Sequence, residues 1–80
     1  MARIIDSEKK NLIGENLKQL RMELKVSQQE LSNKLELLGV YICRGSISRI
    51  EDFSRTVTDI ELFAIAQALG VDPRKLYHRS

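Results

Sequence analysis

The sequence has few of the residues that build disulfides, metal sites or catalytic centres. Its 80 residues include one cysteine, Cys43, and one histidine, His78. A lone cysteine cannot form an internal disulfide, and a lone histidine gives no metal-ligand cluster. The spacing of the Asp, Glu, Lys and Ser side chains suggests no acid–base or nucleophile constellation. We therefore expect no metal, no cofactor and no enzyme activity.

Aromatic side chains are also scarce, with no Trp, two Tyr and two Phe, so the core must consist mainly of Leu and Ile. No apolar run approaches the roughly 20 residues that cross a bilayer, and the N-terminus is too short and too soon acidic for a signal peptide. We expect a cytoplasmic protein with no membrane partner. The net charge of +2 indicates little by itself, because a nucleic-acid partner would require positive charge gathered on one face.

Periodicity and capping signals predict an all-α chain. Two capping boxes, in which a hydroxyl and a Glu carboxylate each accept from a free N–H group, begin at Ser27 and Thr58. Gly70 fits the left-handed position after a helix end, and Pro73 fits a first turn. Five helices are expected, at about 7–24, 27–39, 44–53 and 58–69, with a short one from 72. The apolar side chains expected to face inward include Ile13, Leu17, Leu20, Leu24, Leu31, Leu35, Leu38, Ile47, Ile50, Leu62, Ile65, Ala66 and Leu69.

The third predicted helix carries a small, polar and cationic face. On a helical wheel, Gly45, Ser48 and Arg49 lie opposite the apolar Ile47 and Ile50. Such a face fits the major groove of DNA, where Arg reaches guanine or phosphate and hydroxyls adapt their hydrogen bonds. A polar surface helix with no special role explains this helix alone equally well.

The second predicted helix begins with Gln28 and Gln29. A long amide beside the free N–H groups of a first turn can help to hold a DNA phosphate. Taken singly, each Gln is more simply interpreted as a solvated helix residue. The combination of this helix start with the cationic face of the next helix favours DNA binding.

Three blocks of sequence resemble the Cro/CI-type helix-turn-helix family, also called XRE-like. They are LKQLRMELKVSQQEL at 17–31, ISRIE at 47–51 and LFAIAQALGV at 62–71, in the family's order. The resemblance implies a compact five-helix lambda-repressor-like domain, a single domain over 1–80 with its core at about 12–77 and a short arm at 1–6. It also implies a homodimer on double-stranded DNA, with an inverted-repeat operator.

The resemblance also implies roles for individual residues. A structural salt bridge between helices one and three is expected for Arg21 and Glu51. The dimer surface is left open between Val71, Leu76 and Tyr77 and the arm residues Ile4 and Ile5. Leu76 and Tyr77 could instead cover the core of their own chain, and for Leu76 we favour that alternative. The residues implied to contact bases or phosphates are Gln28, Gln29, Arg44, Gly45, Ser46, Ser48, Arg49 and Arg55.

The chain departs from the family pattern at three points. The connection between helices two and three is about five residues longer than usual. Cys43 stands where a Ser or Thr cap is common, and because cysteine caps poorly we expect a frayed helix start there. We expect Cys43 itself to be a small buried apolar residue rather than a redox sensor. Phe53 stands where glycine is frequent, so the loop must turn without glycine's conformational freedom.

A second function class remains open. The chain could be a protein-interaction module that keeps the fold but no longer binds DNA, with a partner that the sequence does not identify. The weak net charge and the acidic pair Glu51 and Asp52 favour this alternative. The cationic residues that the fold would gather on one side favour DNA binding, and steep salt dependence of binding would separate the two.

Overall fold

The structure, a computed structural model, describes residues 8–77. Its helices are α1 (Gly14–Glu23), α2 (Gln28–Leu37), α3 (Arg44–Glu51) and α4 (Asp59–Leu69), followed by a 3₁₀ turn at Pro73–Leu76. Residues 8–77 contain no strand, which confirms the all-α prediction. The predicted count of five helices is wrong, because the last element is a single turn of 3₁₀ helix. None of the helices in this part of the chain is long and apolar enough to cross a membrane.

The predicted start of the first helix is also wrong. The helix begins at Gly14, because Asn11 Oδ1 accepts hydrogen bonds from the N–H groups of Ile13 and Gly14, at 3.0 and 2.9 Å. This side chain organises a local turn that competes with helix and delays its start. Ser7, the arm at 1–6 and His78 lie outside the described residues.

Both predicted capping boxes are present. Ser27 Oγ accepts from Glu30 N–H at 3.0 Å, and the Glu30 carboxylate accepts from Ser27 N–H at 2.9 Å. Thr58 and Glu61 form the same pair of bonds at the start of α4. These bonds satisfy N–H groups that have no partner within the helix, so the local sequence determines where α2 and α4 begin.

Two helices, α2 and α3, end earlier than the sequence predicted. Because α2 ends at Leu37 rather than near Gly39, Leu38 is half exposed instead of facing the core. α3 ends at Glu51, and Phe53 takes a left-handed backbone conformation with φ of 68°. A turn at that position without glycine is what the sequence predicted.

The core consists almost entirely of aliphatic side chains from every element. α3 packs against α1 and α2, α2 packs against α4, and the 3₁₀ turn closes over α1 and α4. Leu24, predicted to face inward, is instead about half exposed at the end of α1. The buried apolar residues are Ile13, Leu17, Leu31, Leu35, Ile42, Ile47, Ile50, Ala64, Ile65, Ala66, Leu69 and Leu76.

Ser32 is expected to limit the stability of this core. Its side chain is fully buried in α2, and its hydroxyl has no hydrogen-bond partner among the described residues. Ser32→Ala should raise the free energy of unfolding by about 1.5 kcal/mol, of which roughly 0.5 reflects helix propensity. Urea unfolding measures the gain, and Ser48→Ala, at an exposed helical position, measures the propensity part alone. A gain no larger than that of Ser48→Ala would contradict the prediction.

Candidate nucleic-acid interface

The surface of α3 divides into a buried and an exposed face. Ile47 and Ile50 are fully buried, while Arg44, Ser48 and Arg49 are exposed. Gly45 is exposed between them, and a Cβ added there would have Arg49 Nη1 as its nearest neighbour, 3.7 Å away. The α3 face therefore has small residues at its centre and cations along its length.

The two arginines of this face have few internal partners. The Arg44 guanidinium makes no hydrogen bond or ion pair with the residues at 8–77. Arg49 donates from Nη2 to Ser46 Oγ at 2.9 Å, one turn back along the helix. Ser46 itself is half buried. Both guanidinium groups can therefore reach an external ligand without breaking an internal ion pair.

Cys43 precedes α3 and is exposed, so its predicted burial is wrong. The connector is extended here, and successive side chains of an extended chain point in opposite directions. Ile42, at 2% exposure, fills the core, and Cys43 points outward. The Cys43 thiol donates to Ser46 Oγ at 3.3 Å, and it does not cap the helix. Hydrogen bonding to the Ser46 hydroxyl and N–H holds the pKa of the thiol below its ordinary value.

A buried polar network joins α1, α2 and α3. Glu51 accepts from Arg21 Nε at 2.7 Å and from Arg21 Nη2 at 3.1 Å. It also accepts from Gln28 Nε2 at 3.0 Å, and Arg21 Nη1 donates to Val26 O at 2.9 Å. The Arg21 and Glu51 side chains are only 11% and 5% exposed. The amide of Gln28, which the sequence suggested for a phosphate, thus links the start of α2 to the end of α3.

Two further predicted contact residues also have internal partners. Gln29 is exposed and donates to Asn33 Oδ1 at 3.0 Å. Arg55 lies in the loop after α3, and its guanidinium binds the Glu61 carboxylate at 2.9 and 3.2 Å. This ion pair holds the pKa of Glu61 below its ordinary value. The cation of Arg55 is therefore partly balanced by a carboxylate of α4.

Asn11 was not identified from the sequence. It donates to Ile50 O and Arg55 O, at the end of α3 and in the loop that follows. These bonds join residues far apart in the chain, and an Asn before a helix is common enough to give no signal of such a contact. The effect of this side chain on α3 is visible only in the folded chain.

The candidate dimer residues fall in different environments. Leu76 is fully buried and Val71 half buried, whereas Tyr77 is about half exposed. Ile4 and Ile5 lie outside the described residues. α4 also exposes two large apolar side chains one turn apart, Ile60 at 66% and Phe63 at 58%, which are not among the predicted dimer residues.

A family model described as helix-turn-helix matches residues 17–76. The match covers well over half of the chain and runs from α1 to the 3₁₀ turn. It therefore includes the whole α3 face and the network around Glu51. No curated protein matches the sequence.

Proposed function

The chain belongs to the helix-turn-helix family, and from this premise we propose that it is a sequence-specific, double-stranded-DNA-binding transcriptional regulator. In this proposal α3 is the recognition helix and reads the major groove, which admits an α-helix. The observation that supports it best is the α3 face, which is exposed and cationic, while the opposite face of the helix is buried in the core.

Each part of the α3 face has a role in this proposal. Arg44 and Arg49 contact guanine edges or phosphates, and Ser48 bonds to whichever base edge it meets. Gly45 allows a close approach of the helix, since Arg49 Nη1 is the one atom of the described residues, apart from the helix backbone and the adjacent residues, within 4 Å of a Cβ placed there. The first-turn N–H groups of α3 have no side-chain cap, and the positive end of the helix dipole attracts a phosphate there.

The supporting residues set the position of this face. Through Glu51, Arg21 and Gln28 hold the C-terminal end of α3 against α1 and the start of α2. In the proposal, Gln28 and Gln29 lie beside the backbone of DNA, and Arg55 reaches a phosphate when it exchanges its bond to Glu61. We further infer a homodimer of repressor or antitoxin type on an inverted repeat, with half-sites roughly 10 base pairs apart.

The single cysteine gives a direct test of this proposal. Cys43 is exposed beside the first turn of α3, so bound DNA should shield it from iodoacetamide. With duplexes of roughly 30 base pairs, long enough for two half-sites, at about ten times the Kd, alkylation should slow roughly tenfold because only the free protein reacts. Mass spectrometry measures the rate.

The control for this test moves the thiol away from α3. In Cys43→Ser/Lys75→Cys, the cysteine lies on the 3₁₀ turn, which packs against α1 and α4, and the duplex should leave its alkylation rate unchanged. If the alkylation rate of Cys43 is unchanged when the protein is saturated with duplex, α3 is excluded as the reading helix. Absence of any duplex binding by the folded protein would favour the protein-interaction module instead.

A further inference from the structure

Asn11 uses all of its hydrogen-bonding capacity on two separate parts of the chain. Its oxygen accepts from Ile13 and Gly14 N–H, which starts α1. Its amide nitrogen donates to Ile50 O at 3.0 Å and to Arg55 O at 2.8 Å. One side chain therefore ties the start of α1 to both the last turn of α3 and the loop behind it.

The backbone around Asn11 is packed closely against the same part of α3. A Cβ placed on Gly14 would clash with Ile50 O, so the backbone would have to shift to accommodate it. Lys10 N–H donates to Phe53 O at 2.9 Å, and Lys9 Nζ lies 4.5 Å from the centre of the Phe53 ring. The segment 9–14 thus packs closely against the C-terminal end of α3 and the turn that follows it.

The bonds of Asn11 add a long-range tie to the turn that ends α3. Ile50 O also accepts from Phe53 N–H at 3.1 Å, within that turn, so the Asn11 amide is a second donor that connects this carbonyl to the start of α1. An amide with both hydrogens engaged holds Ile50 O and Arg55 O in one geometry. Because Arg44 and Gly45 lie at the other end of α3, a change of tilt at this contact moves them further than it moves Ile50.

We propose that Asn11 is a positioning residue for DNA reading, which sets the tilt of α3 and the path of the loop that carries Arg55. This inference rests on the proposed function and adds to it a residue outside the helix-turn-helix pair. Loss of the two donor bonds leaves the cations of α3 in place, so non-specific affinity persists. Base contacts depend on geometry, so discrimination between sequences falls.

The test uses Asn11→Ser and a matched control. Ser keeps an oxygen that accepts from the N–H groups at the start of α1 but cannot donate to both carbonyls. In the control, Asn16→Ser, a buried amide loses an equivalent bond, from Asn16 Nδ2 to Leu76 O at 2.9 Å, away from α3. Affinities are measured by fluorescence anisotropy at a temperature where circular dichroism shows every variant folded.

The probes are a duplex that the wild-type protein selects from a random pool and a scrambled duplex of the same composition. Asn11→Ser should weaken binding to the selected duplex roughly tenfold and to the scrambled duplex by less than about twofold. Asn16→Ser should preserve wild-type discrimination. If Asn11→Ser does not fold, Asn11→Asp replaces it, since the Asp carboxylate accepts at the helix start and donates nothing. The added negative charge lowers the affinity for both duplexes alike, so the ratio of the two affinities still reports discrimination.

The outcomes separate the two proposals. Wild-type discrimination in the folded Asn11 variant would overturn the positioning role and leave the proposed function intact. If the wild-type protein binds neither duplex, the proposed function fails. In that case, residual dipolar couplings of the free proteins still decide whether Asn11 sets the tilt of α3. A change in the angle between α1 and α3 in the Asn11 variant but not in Asn16→Ser supports it, and an unchanged angle overturns it.

Discussion

Replacing Glu51 by alanine is expected to lower the free energy of unfolding by about 3 kcal/mol. The Glu51 carboxylate is almost fully buried and accepts three hydrogen bonds, two from Arg21 and one from Gln28. Without it, the Arg21 cation remains buried with only Val26 O as a described partner, and a buried charge without a counter-ion is costly. A domain of this size has only about 3–5 kcal/mol of stability, so the variant should be largely unfolded near 37 °C.

The neighbouring carboxylate provides the control. Asp52 is exposed, and it accepts from the Ser54 N–H and hydroxyl just after α3. Asp52→Ala should therefore cost less than about 1 kcal/mol. Urea unfolding followed by circular dichroism gives both values. Equal losses of unfolding free energy for the two variants would mean that the Glu51 network contributes no more to stability than the exposed turn of Asp52 and Ser54.

A double-mutant cycle shows whether the loss comes from the pair itself. Arg21→Ala/Glu51→Ala removes both charges, so no unpaired charge is left in the interior. Its loss of stability should be clearly smaller than the sum of the two single losses. Additive losses would contradict a direct interaction between Arg21 and Glu51.

Local sequence was sufficient to predict most of the helices. Ser27 with Glu30, and Thr58 with Glu61, carry complete capping boxes within four residues, and the aliphatic period marks the buried faces. The start of α1 could not be predicted in this way. Asn11 stops the helix from extending toward residue 8, and the long-range bonds that hold its amide are not encoded in any neighbouring residue.

The α3 face could be predicted for the same local reason, since a wheel separates Arg44, Ser48 and Arg49 from the isoleucines. The partners of the other predicted residues could not. Gln28 meets Glu51 only when α2 and α3 pack together, and Arg55 meets Glu61 only when the loop folds back on α4. Sequence reasoning identified polar residues near the candidate interface, but tertiary packing decides which of them have internal partners.

The second large effect concerns DNA affinity. Arg44 has no partner among the described residues, and Arg49 bonds only to a neighbouring hydroxyl, so neither has a role in the core. Arg44→Ala/Arg49→Ala should leave the free energy of unfolding nearly unchanged. It should weaken specific duplex binding by roughly 100-fold or more, because each arginine contact to a base or phosphate contributes about 1–3 kcal/mol.

A charge-matched control separates the loss of direct arginine contacts to DNA from the effect of a lower net charge on affinity. Lys18→Ala/Lys75→Ala also removes two positive charges, from exposed positions on α1 and the 3₁₀ turn. Its effect on duplex affinity should be less than about threefold, since charges away from the interface release no counterions from DNA. Circular dichroism establishes that all three proteins are folded.

The measurement that tests the DNA-binding account most directly is an anisotropy titration of the selected duplex by these three proteins, at about 50 and 200 mM salt. The account predicts binding by the wild type and the control that weakens steeply with salt. For Arg44→Ala/Arg49→Ala it predicts weak binding, and the slope of log affinity against log salt concentration should be smaller in magnitude by roughly two. Equal affinity and equal slope for the arginine variant and the control would contradict the assignment of α3 as the reading helix.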